Sequence, residues 1–164
     1  VRIRLTESQL GYAESVAKGR RQNPHTKTRK FAKNRSDWDI DFLGAKAEVA
    51  ISMPLGCEIN EDSKPKSSSN YDMGIDFSLN GLSIQVKATE HKNGRLIFKD
   101  SYEFNADIYI LAYVNADIIE VRGWISREKL MTARGMHVEG PLKNTWVTEN
   151  KHLSSVFSLI SAIK

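Results

Sequence analysis

Between Met73 and Ala88 the chain sets a carboxylate, an amide and an ammonium on what reads as one face of a β-hairpin. Asn80-Gly81 separates two alternating runs, Met73–Leu79 and Leu82–Ala88. Asn-Gly in that setting is the strongest short-range hairpin signal, because both turn residues must take positive φ. A two-residue turn places Leu79 opposite Leu82, Phe77 opposite Ile84, Asp76 opposite Gln85 and Gly74 opposite Lys87. Side chains alternate along a strand, so Asp76, Gln85 and Lys87 share a face while Leu82, Ile84 and Val86 take the other. Asp76 can hold a hard divalent cation, with the Gln85 side-chain oxygen and the Val86 backbone carbonyl as further oxygen ligands. Such a cation polarises a phosphate and lowers the pKa of an attacking water. Lys87 can orient or deprotonate that water, or stabilise charge growing on the phosphoryl oxygens. These are the requirements of phosphodiester hydrolysis, and Gly74 leaves room beside Lys87 for a ligand to approach.

The elements that must position this face are legible around it. Thr6-Glu7-Ser8-Gln9 has the form of a capping box, followed by Leu10, Ala13, Val16 and Ala17 at helical spacing, so a first helix is predicted over residues 7–19, ending near Gly19. Residues 20–36, basic and interrupted by Pro24, read as a loop or arm. Asp41 to Ser52 is predicted as a second helix, with Phe42, Ala45, Val49 and Ile51 on its packed side and Pro54 and Gly56 as its stop. Residues 60–70 are a polar, Ser-rich loop. After a turn at Lys92-Asn93-Gly94 come strands Asp107–Val114 and Ile118–Trp124, a helix over Ser126–Ala133 and an apolar, β-branched closing segment. This order predicts an α/β or α+β domain with a mixed central β-sheet flanked by helices. One domain spans 1–164, with a basic N-terminal helix and arm in 1–36 and the core in 37–164.

The spacing Asp76-(eight residues)-Gln85-Val86-Lys87, preceded by a helix carrying Gly44-Ala45-Lys46-Ala47-Glu48-Val49-Ala50, resembles the PD-(D/E)XK nuclease superfamily. The likeness runs from about Phe42 to Trp124. It implies a restriction-endonuclease-like core and catalytic roles for Glu48 as helix acid, Asp76 as strand acid, Gln85 as variable ligand and Lys87 as catalytic lysine. It also implies Mg²⁺ or Mn²⁺ as cofactor, held by Asp76, Glu48, Gln85 and the carbonyl of Val86. The substrate it implies is double-stranded DNA, cut by a homo-oligomer (dimer or tetramer) of homing-, restriction- or resolvase-like type, as phage and mobile elements carry. Two departures stand out: Ile75 replaces the nominal proline, and Gln85 replaces the usual acid, shifting the metal's charge balance onto Asp76 and Glu48. A non-catalytic DNA-binding or regulatory protein on the same scaffold is the alternative, and Gln85 is the feature that favours it.

Other residues compete for these roles. Asp72 is a rival strand acid, but the hairpin register sets it opposite Thr89, beyond Lys87, unless a bulge intervenes. Glu48 has Gly44, Ala45, Ile51 and Ser52 as its helical neighbours, so no basic partner within its own helix explains it. Asp107 reads as a strand-end residue and Lys46 as a solvated one. His25, His91, His137 and His152 read as surface residues, and Trp38, Trp124 and Trp146 as core anchors.

Composition narrows the function classes. The single Cys57 forms no internal disulfide and builds no zinc site alone. The opening Val-Arg-Ile-Arg-Leu lacks a signal peptide's apolar stretch, and no run reaches the ~20 apolar residues of a membrane span, so a cytoplasmic protein without membrane contact is expected, in a host cell if phage-encoded. The overall charge of +4 conceals ten Lys/Arg against two Glu in residues 1–36, a local net of +8. Such an arm suits a polyanion, because lysine and arginine replace the counterions condensed on phosphates. Arg20, Arg21, Lys27, Arg29, Lys30, Lys33 and Arg35 are therefore the expected DNA contacts. DNA affinity should fall with salt at a log–log slope of roughly −0.9 per contact, and alanine substitution across the arm should flatten it. A slope unchanged in those variants removes the arm from the binding surface.

Overall fold

Two helices on one face of a mixed sheet, and a small second sheet on the other, make up the fold. The computed structural model describes residues 1–22, 35–59, 75–98, 104–137, 145–155 and 157–159. Strand β1 (Arg2–Arg4) is followed by helices α1 (Glu7–Gln22) and α2 (Asp37–Ser52), the hairpin β2 (Phe77–Leu79) and β3 (Leu82–Thr89), and β4 (Leu96–Phe98). Then come β5 (Ile108–Asn115), β6 (Ile118–Ser126), α3 (Arg127–Ala133), β7 (Gly135–His137) and β8 (Thr145–Thr148). The five-stranded sheet has the order β1-β6-β5-β3-β2, with β3 and β5 parallel and the other pairs antiparallel. Strands β4, β8 and β7 form the second sheet. The expected α+β architecture with a mixed central sheet is what the chain forms. Among the described residues no helix is long and apolar enough to cross a membrane.

Both long helices begin on reciprocal caps. Thr6 and Gln9 form the expected capping box: the Gln9 amide donates to Thr6 Oγ1 at 3.3 Å and the Thr6 amide to Gln9 Oε1 at 2.8 Å. Helix α1 continues through Gly19 to Gln22, three residues past its expected end. Helix α2 starts at Asp37, four residues before the expected Asp41, because Ser36 and Asp39 cap each other's backbone amides at 3.2 Å. The Ser-x-x-Asp pattern carries that signal.

The Asn80-Gly81 turn has φ of 51° and 81°, and the hairpin pairs Leu79 with Leu82 and Phe77 with Ile84 in the expected register. Alternation along the central strands then sorts side chains into two cores. Ile84 and Val86 of β3 and Ile108, Ile110, Ala112 and Val114 of β5 pack against the helices, joined by Ala13, Val16 and Ala17 of α1 and Leu43, Ala47 and Val49 of α2. Tyr109 and Leu111 of β5, with Ile125 of β6, face Leu96, Phe98, Phe104 and Leu130 on the other side. A register shift sets Leu111 opposite Gly123 but Ala112 opposite Val121, so Arg122 is an extra residue in β6. That bulge lets Val121 and Trp124, three apart, reach the same core. Strands β1, β4, β7 and β8 were not expected from the sequence; three of them are three residues long and the fourth has four, too short for alternation to register.

Because Ser36 satisfies an otherwise orphaned amide at the start of α2, Ser36→Ala should cost about 1 kcal/mol. Urea unfolding should show a lower midpoint at an unchanged slope; a midpoint equal to the wild type would mean the cap contributes nothing.

Candidate functional site

The site forms where the end of the hairpin meets the two long helices. Glu48 lies on the face of α2 turned into the fold and is 3% exposed. A carboxylate buried to that degree needs a counter-charge. Arg20 supplies it from the last turn of α1, with Nη1 2.9 Å from Oε1 and Nη2 2.5 Å from Oε2, a bidentate fork. Gly44, one turn before Glu48, bears no side chain on this flank: a Cβ there would lie 3.6 Å from Glu48 Oε1 and 3.8 Å from Arg20 Nη1.

Asp76 approaches from the sheet. The hairpin ladder stops at Phe77, one residue short of the Asp76–Gln85 pair that the register predicts. Instead the Asp76 amide donates to the Ile84 carbonyl at 2.9 Å, and its Oδ2 accepts the Val86 amide at 2.6 Å. The carboxylate thus replaces a backbone carbonyl as the acceptor for β3, which fixes its position without a rotamer to spare. The residue keeps some exposed surface, but its carboxyl is enclosed, and burial pushes its pKa well above the usual carboxylate range. The nearby Glu48 charge pushes the same way, while Arg20, the Val86 amide and Lys87 pull it down.

Gln85 and Lys87 project from the face of β3 opposite Ile84 and Val86, as alternation requires. Gln85 is 6% exposed and its Oε1 accepts no hydrogen bond among the described residues. Lys87 is half-buried with Nζ 5.1 Å from the centre of the Phe98 ring, and its charge reaches Asp76.

Several expectations change here. Arg20 is turned inward onto Glu48 and does not present its guanidinium as an outward phosphate contact, because the buried acid claims it. Arg21 lies 3.8 Å from both Asp37 and Asp41, and Arg35 is paired with Glu90. Burial raises the Asp41 carboxyl's pKa, against the pull of Arg20 and Arg21. Lys27, Arg29, Lys30 and Lys33 lie outside the described residues, as do Asp72, Gly74 and His25. Lys46, expected in solvent, is half-buried: it donates to the Ala116 carbonyl at 3.0 Å and sits 4.9 Å from the Phe42 ring centre. Burial lowers its pKa. Asp107 accepts the Ser83 amide at 3.0 Å and its hydroxyl at 2.7 Å, bonds that hold its pKa low and tie β5 to β3. His91 and His152 are exposed, and Trp124 is 8% exposed with Nε1 donating to Ser155 and Ser158.

Among the described residues no group of three or more His, Cys, Asp or Glu side chains could hold a metal ion. Mg²⁺ does not require one. It is usually held by one or two carboxylates, keeping waters and substrate oxygens in its remaining positions. Glu48 and Asp76 fit that pattern once Arg20 gives up its hold on Glu48, whereas Gln85, expected as a further ligand, projects from the face of β3 turned away from the helices, toward the side of Tyr109 and Phe98.

The Asp76 shift has a definite sign. A raised carboxylate pKa means that the folded state holds a proton the unfolded chain has lost, so stability falls as pH rises from about 3.9, the unfolded value, through the higher folded pKa. Asp76→Asn keeps an acceptor for the Val86 amide and removes the charge. In EDTA it should be more stable than the wild type at neutral pH and lack that decline, as urea unfolding across pH will read. A variant no more stable than the wild type at pH 7 would show that the buried charge carries no penalty.

No family model, curated protein or solved structure matches this chain.

Proposed function

We propose that this chain is a Mg²⁺- or Mn²⁺-dependent endonuclease that hydrolyses phosphodiester bonds in double-stranded DNA. The observation that carries the reading is the approach of two carboxylates, Asp76 from the hairpin and the buried Glu48 from α2, close enough that the Glu48 charge adds to burial in raising the Asp76 pKa. Like charges brought together oppose each other, and a carboxylate raised by burial and by a specific charged neighbour, as Asp76 is, is a functional-site candidate. A divalent cation bound by them would polarise the phosphate and activate water.

The chain's own residues supply the rest. Asp76 is held by the Val86 amide through Oδ2, so Oδ1 would be the oxygen turned to a metal. Gln85 brings a neutral oxygen that accepts no hydrogen bond among the described residues. Lys87, two residues on and on the same face as Gln85, carries a charge that reaches Asp76 and would position water or stabilise the phosphoryl oxygens. Lys27, Arg29, Lys30 and Lys33 remain the arm's candidates for tracking the DNA backbone, and a homo-oligomer would bring two such sites to the two strands. The second reading is a non-catalytic DNA-binding protein; the Arg20–Glu48 pair favours it, since it occupies both oxygens of one acid.

Single-turnover cleavage of duplex DNA in Mg²⁺ and in EDTA, beside gel-shift binding, separates the two. Wild-type cleavage should require the metal. Asp76→Asn and Lys87→Ala should both lose cleavage while retaining DNA binding, with Asp76→Asn binding as tightly or more so because a negative charge near phosphate is gone. Full activity in both variants would sink the nuclease reading, and DNA binding without any cleavage by the wild type would favour the scaffold alone.

A further inference from the structure

We propose that Arg20 is a resident counter-ion standing in the cation position of the Glu48–Asp76 site, so that a divalent metal binds only by displacing its guanidinium from Glu48. The inference rests on reading Glu48 and Asp76 as metal-binding acids.

Three observations carry it. Arg20 spans both Glu48 oxygens at 2.9 and 2.5 Å, so a dication reaching this acid meets the guanidinium's positive charge while the fork is closed. Arg20 itself is confined, with 19% of its side chain exposed against 4% for Glu48, so the pair sits where charges are poorly screened and strongly coupled. Its charge also acts on Asp76 and, together with Arg21, on Asp41.

Displacement is physically feasible. Arg20 lies in the last turn of α1, its side chain long and flexible, and Gly44 leaves the flank of the pair without a side chain. A guanidinium released there is well suited to a phosphate, which it can bind by the same bidentate fork.

Full-length wild type, Arg20→Met and Arg20→Lys are compared by Mn²⁺ titration calorimetry and by melting in EDTA and in Mn²⁺, with no DNA present. Arg20→Met should melt lower than the wild type in EDTA, because Glu48 and Asp76 then face each other unbalanced. Mn²⁺ should restore most of that loss, and its affinity should exceed the wild type's by roughly tenfold or more, a gain that a further Glu48→Gln cancels. Should Arg20→Met fail to fold without metal, Arg20→Lys decides: its ammonium lacks the fork, so Mn²⁺ should bind several-fold tighter than in the wild type. Equal or weaker Mn²⁺ binding in the folded Arg20 variants, or no binding by any form, overturns the inference. Tighter binding in a chain that never cuts DNA would keep this inference and remove the nuclease; metal-dependent cutting with Mn²⁺ affinity unchanged across the Arg20 variants would do the reverse.

Discussion

The structure around the site depends on an ionised acid with almost no access to water. Glu48 at 3% exposure is costly unless its charge is matched, and losing one partner of such a buried pair typically costs 3–5 kcal/mol. Arg20 answers it from another helix, 28 residues away in sequence. The pair therefore constrains how α1 lies on α2. Small side chains accompany that packing: Ala13 and Ala17, one turn apart on α1, and Ala45 and Ala47 on α2 are fully buried. The apolar contacts drive the helices together and the ion pair determines which residues meet.

Asp76 belongs to the same electrostatic group but is held by the sheet. Its bond to the Val86 amide and the pull of Arg20 and Lys87 favour its ionised form, yet burial and Glu48 outweigh them. In the proposed reading the site is kept in tension without its metal, its acids brought nearer than their charges prefer. A dication would relieve that repulsion more completely than a single guanidinium can.

Much of this was legible in the residues. The hairpin turn and register follow from Asn80-Gly81, and the first capping box from Thr6-x-x-Gln9, because these are local rules acting over two to four residues. Glu48 could be recognised as unexplained by its own helix. What sequence did not disclose is what answers it, since the Arg20 contact is made only when α1 and α2 dock, and a basic run invites a reading as surface. Lys46 misleads in the same way: its stem crosses Phe42 to reach a carbonyl in the β5–β6 turn, a target with no signature in sequence. The start of α2 was readable and was placed late, because apolar periodicity begins after the Ser36–Asp39 cap does. At Asp76 the strand rule failed by one residue, where a side chain took over an acceptor's work from the backbone.

The central sheet also acts as a partition. Strand β5 gives Ile108, Ile110, Ala112 and Val114 to one core and Tyr109 and Leu111 to the other, with little side-chain volume shared between them. Substitutions at Phe104 or Leu130 are absorbed on that side, whereas Phe98 carries the Lys87 ammonium and residues beneath α1 and α2 adjoin the acids. Over generations the two faces can therefore drift at different rates. Related chains should keep the helix-side core and the position of Phe98 nearly fixed while the layer built from β7, β8 and α3 is rebuilt, lengthened or replaced.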